Sequence, residues 1–196
     1  MTFETFRSLT NAESNPVILL EGRRSIPPQM AKSASALSAR LAREFPQLRF
    51  RSGNASGSDQ AFTEGVLAVD PSRMEIFAPY SSHRAKARHA AVSYNSPESL
   101  DTVEEEQTVF NAIRATPQNK GLIEKRHRNK ALGAKAAYLI RDTMKVMGNG
   151  PDYLKPCCAL FYIDPDDPMN GGTGHTIRAC QQAAIPVVFQ TDWDSW

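Results

Sequence analysis

The stretch Gly171-Gly172-Thr173-Gly174-His175-Thr176 lies between an apolar run, residues 158–163, and a segment of helical spacing, residues 176–184. It reads as the turn from a buried strand into a helix. Glycines bring backbone close to a ligand, and the free N–H groups of a first helical turn, with the macrodipole behind them, attract phosphate. Tight packing explains the same glycines equally well. His175 can bond a phosphate or a leaving group through either ring nitrogen, or can simply face water. Asp164, Asp166 and Asp167 precede this stretch and offer oxygen ligands to a Mg2+ ion that would bridge to phosphate.

Two further glycine turns carry similar chemistry. Gly22, Arg23 and Arg24 follow the apolar run 17–20, where amides and a guanidinium can hold phosphate by charge-assisted bonds. The alternative is a surface turn with solvated arginines. Gly53 and Gly57 frame the other turn, which ends in Ser58 and Asp59. Both can cap the helix that follows, and Asp59 can also take a ribose hydroxyl or a water. His83 and Arg84 come after the run 74–79, with His83 able to act as acid or base near neutral pH. The catalytic candidates are therefore His83, Asp59 and His175. The basic segments 84–89 and 125–130 suggest single-stranded nucleic acid as another ligand class, although residues 125–130 cannot all share one helix face.

The elements that must position these residues follow from periodicity. Residues 17–20, 48–51, 74–79, 158–163 and 185–189 read as strands. Pro27-Pro28 opens a helix with Met30, Ala34, Leu37, Leu41 and Phe45 on one face, and Phe62 and Val66 mark another. Ser96 and Pro97 read as the start of a helix with Leu100, Val103, Val109, Phe110 and Ile113 on its apolar side. A further helix runs from about Leu122 to Met144 and ends at Gly148-Asn149-Gly150-Pro151, and residues 1–14 read as a polar leader. Strands alternating with helices imply a Rossmann-like, doubly wound, mostly parallel sheet with helices on both faces, its ligands beyond the carboxyl ends of the strands.

The 196 residues suit one domain, and 41% hydrophobic content supplies a core. A net charge of +2 excludes a polyanion binder of the histone kind. Three cysteines, two of them adjacent, form neither a disulfide ladder nor a metal-ligand spacing. With no apolar run of spanning length and no signal-like start, the expectation is a cytoplasmic protein without a membrane partner. Trp193 and Trp196 are candidates for covering the sheet edge or for an oligomer contact.

Taken in order, Val17-Ile18-Leu19-Leu20-Glu21-Gly22-Arg23, then Ser52-Gly53 with Gly57-Ser58-Asp59-Gln60-Ala61, then Arg128-Asn129 and Gly171-Gly172-Thr173-Gly174 resemble the SLOG superfamily of Rossmann-like proteins. That superfamily includes the DNA-processing protein A group and the LOG nucleotide hydrolases. The resemblance spans most of residues 15–190 and leaves 81–120 as a helical insertion. It implies a nucleotide, or a nucleotide-derived molecule, across the glycine turns with its phosphate at residues 172–176 and with Arg128 and Asn129 under the crevice. It also implies a homodimer. In LOG enzymes a glutamate used in N-glycosidic cleavage follows the last glycine motif, whereas residues 174–179 hold no carboxylate here. The departure favours a sensor, carrier or processing protein that binds a nucleotide. Single-stranded nucleic-acid binding and N-glycosidic hydrolysis are the alternatives.

Overall fold

Six short runs, most of them apolar, form the strands of one sheet in the computed structural model, which describes residues 1–148, 150 and 152–196. They are β1 (Val17–Gly22), β2 (Arg49–Ser52), β3 (Met74–Phe77), β4 (Ser93–Asn95), β5 (Cys158–Tyr162) and β6 (Val187–Phe189). Every pairing is parallel, and the order across the sheet is β4-β3-β2-β1-β5-β6. Parallel strands require crossovers, and most of these are helical. The helices are α1 (Phe3–Asn11), α2 (Pro28–Glu44), α3 (Ser58–Leu67), α4 (Thr102–Ala115), α5 (Lys120–Glu124), α6 (Lys130–Met147), α7 (Gly171–Gln182) and α8 (Gln190–Trp193). No helix among the described residues is long and apolar enough to cross a membrane.

Alternation along β1 divides the core. Ile18 and Leu20 join Ala34, Leu37 and Leu41 of α2, Phe62 and Val66 of α3, and Phe6 of α1 on one face. Leu19 joins Ala159, Phe161, Val146 of α6 and Ile177 and Cys180 of α7 on the other. The sheet is thus covered on both sides, as strand and helix alternation requires.

Several elements depart from the periodic reading. The polar leader is helix α1, capped by the Thr2 hydroxyl at Thr5 N–H and anchored by buried Phe6. The segment 81–120 is not purely helical, because it also supplies the edge strand β4, reached through one 3-10 turn, Ala85–Ala87. Pro97 begins only a 3-10 turn. Helix α4 starts at Thr102, where Asp101 and Glu104 form a reciprocal capping box. Its buried stripe is Thr108, Ala112 and Ala115, while Val103 and Phe110 face outward at 74% and 56% exposure. The single helix expected from Leu122 is two, α5 and α6, separated where Asn129 accepts the Leu132 N–H as the cap of α6. Of the breaker after α6, Gly148 is its C-cap at φ +76, and Asn149 and Pro151 lie outside the described residues.

Both tryptophans pack within the chain. Buried Trp193 donates its indole N–H to Phe161 O at 2.9 Å and meets Phe62 edge-on, and Trp196 lies against Phe3 and Phe6. Replacing Asp101 by Ala is expected to cost about 1 kcal/mol in urea unfolding, the usual worth of an N-cap side chain. An unchanged midpoint would show that the capping box contributes nothing.

Candidate functional site

The direction of winding reverses between β1 and β5, since the chain steps from β1 through β2, β3 and β4 one way and from β5 to β6 the other. A crevice opens at the carboxyl ends of those two strands, the position at which doubly wound sheets take ligands. Here it is a cavity of about 420 Å3. Gly22, Arg23 and Arg24 wall one side, Asp167, Pro168 and Asn170 to Thr173 contribute the other, and Glu21, Asp59, Arg141 and Asp142 lie along its floor.

The glycine stretch is the first turn of α7, not a turn ahead of it. Gly171 has φ +59, a conformation that favours glycine, and a Cβ there would meet nothing within 4 Å. No side chain caps this helix: the Asn170 amide instead donates to Asp167 at 2.6 Å. The first intrahelical bond of the turn runs from Gly174 N–H to Asn170 O at 3.0 Å, so the amides of Gly171, Gly172 and Thr173 precede the helical ladder at the cavity wall.

The second half of the stretch belongs to the core. A Cβ on Gly174 would lie 1.9 Å from Met169 O, so this glycine serves close packing. Thr176 is buried and donates to Gly172 O. His175 is wholly buried, its Nδ1 at 2.9 Å from the Thr116 hydroxyl and its Nε2 at 2.9 Å from the Thr143 hydroxyl and 3.0 Å from Leu139 O. The carbonyl neighbour assigns the proton to Nε2. Burial lowers the imidazole pKa, which keeps the ring neutral. The structure therefore removes His175 both as a phosphate ligand and as an acid or base, because the core already occupies both nitrogens.

The turn after β2 holds loops together. Gly57, at φ +87, approaches so closely that a Cβ would fall 2.2 Å from Arg24 O. Ser58 donates to Arg23 O at 2.6 Å and does not cap α3, whose N-cap is Gly57. Asp59 accepts from Gly22 N–H at 3.1 Å and from Ala55 N–H at 3.3 Å, so both its oxygens are bound to backbone although it lines the cavity. Gly53 leaves room for Arg141, which donates to Gly53 O at 2.7 Å and to Phe77 O at 3.0 Å.

Arg23 bridges the crevice to Asp164, while exposed Arg24 has no ion-pair partner among the described residues. Asp164 also accepts from Asp166 N–H, and Asp167 receives the Asn170 amide. The acidic run thus shapes the loop, and among the described residues no group of three His, Cys, Asp or Glu converges to hold a metal ion. Asn129 and exposed Arg128 are not under the crevice: Asn129 caps α6 and lines a neighbouring cavity with His127, Lys130 and Tyr80. His83 stands beside that cavity, edge-on to Tyr80 at 5.2 Å and to crevice-lining Tyr138 at 6.3 Å. Its pKa is lowered by burial and by Arg84, Arg141 and Arg88.

The periodic reading missed the buried charges beneath the crevice. Lys145 is fully buried and ion-paired to Glu21 and, at 2.8 Å, to Asp142, which also meets Arg141 Nε at 2.8 Å. Arg51, buried in β2, pairs with Glu75 of β3 at 2.7 Å and donates to Lys145 O at 2.9 Å. Burial pushes the Glu21 carboxyl up to about 7, with Asp59 and Asp142 adding to the shift and Lys145 opposing it. A signal for Glu21 existed in the sequence, a carboxylate closing an apolar strand just before a glycine turn.

No protein-family model matches the chain, and no curated protein is similar to it in sequence. Among solved structures it is similar to DNA processing protein A from Helicobacter pylori, with a TM-score of 0.49 and 11% identity over 93% of this chain and 67% of that one. That protein's structure was described for its single-stranded DNA binding mode. A likeness of this degree carries nothing about ligand or chemistry, which rest on the side chains of the crevice.

Proposed function

We propose that the chain is a SLOG-type protein that binds a nucleotide or nucleotide-derived ligand at the β1/β5 crevice. The observation that carries this reading is the α7 N-terminus, uncapped by any side chain and faced by Arg23 and Arg24 across one cavity. The phosphate rests on residues 171–173 and the arginines, and Tyr138 offers an aromatic wall for the base. A ligand bound only by the folded state raises the melting temperature. Nucleoside monophosphates at millimolar concentration are expected to do so. Arg24→Gln is expected to weaken binding by about tenfold, the worth of one charge-assisted hydrogen bond, without moving the unliganded melting point. A panel that shifts no melting point would end this reading.

A second reading, single-stranded nucleic acid, is favoured by the aromatic row Tyr80, His83 and Tyr138, which links the crevice to the cavity bearing His127 and Lys130. One exposed ring, Tyr80, and two half-buried ones, His83 and Tyr138, beside cations suit base stacking along a strand. An oligonucleotide should then bind more tightly than its monomers, with affinity falling steeply as salt rises. Equal affinity for monomer and oligomer would exclude it.

A further inference from the structure

The crevice floor holds a buried acceptor that lacks a protein donor. Glu21 ends β1 with its side chain 7% exposed and lines the same cavity as the α7 N-terminus. Lys145 holds its Oε1, and Oε2 has no hydrogen-bond partner. Asp59 differs, since both its oxygens are met by backbone N–H groups. Asp142 Oδ1 also makes no hydrogen bond, but two cations, Arg141 Nε and Lys145 Nζ, stand 2.8 Å from it, which leaves Glu21 Oε2 the acceptor with neither kind of partner. A buried acceptor left unpaired is costly, so a molecule that brings a donor to it is selectively favoured.

Resting on the nucleotide reading above, we infer that Glu21 selects the sugar, accepting a hydrogen bond from a ribose hydroxyl of the nucleotide whose phosphate lies on α7. The ligand's own chemistry directs this choice. Its phosphate is an acceptor and belongs with the amides and arginines, so the donors nearest to it are the sugar hydroxyls. Glu21 directly precedes Gly22 and Arg23 and is buried where those two are half-buried, so its carboxyl lies deeper in the crevice than the phosphate-holding wall. The ligand class is then a ribonucleotide, in preference to one lacking sugar hydroxyls.

Calorimetric titration at pH 8 with the four ribonucleoside 5′-monophosphates and their 2′,3′-dideoxy counterparts tests the inference. For at least one base, wild-type protein should bind the ribonucleotide about tenfold or more tightly, the worth of a hydrogen bond to a charged group. In Glu21→Leu, which leaves Lys145 its partner Asp142, the pair should bind within about twofold of each other. Equal binding of the pair by wild-type protein overturns the inference while leaving the nucleotide site intact, and it does so even if the variant fails to fold. Discrimination that persists undiminished in a folded Glu21→Leu also overturns it, assigning the Oε2 donor to water. No binding of any nucleotide overturns the site itself and this inference with it.

Discussion

Relative to a Glu21→Gln variant, the wild-type protein is expected to lose about 3 kcal/mol of stability as pH rises from 4.5 to 7.5. Burial raises the Glu21 carboxyl from 4.5 in the unfolded chain to about 7 in the folded one. Between those values the folded state binds a proton that the unfolded state has released. Stability therefore falls with rising pH across that window, and this contribution is present in full below the unfolded value and gone above the folded one. A shift from 4.5 to about 7 corresponds to about 3 kcal/mol at 1.36 kcal/mol per unit. Other groups also make stability pH-dependent. Asp59, raised by burial, acts in the same direction, whereas His175, held neutral by burial, costs stability as pH falls below the imidazole range. Subtracting the Gln variant removes the His175 effect, while Asp59, whose charge acts on Glu21, titrates with it as one linked pair. Urea unfolding of both proteins at pH 5, 6, 7 and 8 should give free energies that converge or cross as pH changes. Parallel curves would mean that the Glu21 carboxyl ionises as it would in water.

The sequence pattern revealed the scaffold more fully than the site. Strands β1, β2, β3, β5 and β6 and helices α2, α3 and α7 were legible because a doubly wound sheet writes apolar runs between amphipathic helices. Strand β4 was not, being three residues long with the polar sequence Ser93-Tyr94-Asn95 and reached without a crossover α-helix. Helix α4 misled for another reason. Its large residues Val103 and Phe110 face solvent, and its buried side is the small and polar set Thr108, Ala112 and Ala115.

Within the site, position was legible where it depends on local order. Gly22 to Arg24 and Gly171 to Thr173 share one cavity because both follow the carboxyl ends of adjacent strands. His175 misled because being near a helix start does not say which face a residue takes. One turn carries Gly171 to Thr173 on the crevice and His175 into the core. The buried charges were illegible for a different reason. Arg51 reads as the outward half of an alternating strand, but helices cover both faces of this sheet, so that half is buried as well. Its partners come from Glu75 and from the carbonyl of Lys145, 24 and 94 residues away, and periodicity cannot register pairings at that separation.

Replacing Lys145 by Met is expected to cost about 3–5 kcal/mol at pH 8, the penalty for removing one partner of a buried ion pair. The ammonium is fully buried and serves Glu21 and Asp142 together. Without it Asp142 still has Arg141, at 2.8 Å, but Glu21 has no other ion-pair partner among the described residues. Glu21 must then take up a proton to stay buried. The cost should accordingly shrink at pH 5, where the carboxyl is already neutral in the folded protein. A variant carrying both Lys145→Met and Glu21→Gln removes both members and should be more stable at pH 8 than Lys145→Met alone. The coupling from the four proteins should exceed about 1 kcal/mol at pH 8 and decline toward acid pH. A loss from Lys145→Met that is the same at pH 5 and pH 8, with additive effects in the double variant, would assign Lys145 a packing role only. Coupling that grows with pH would instead tie the crevice floor's integrity to the charge on Glu21.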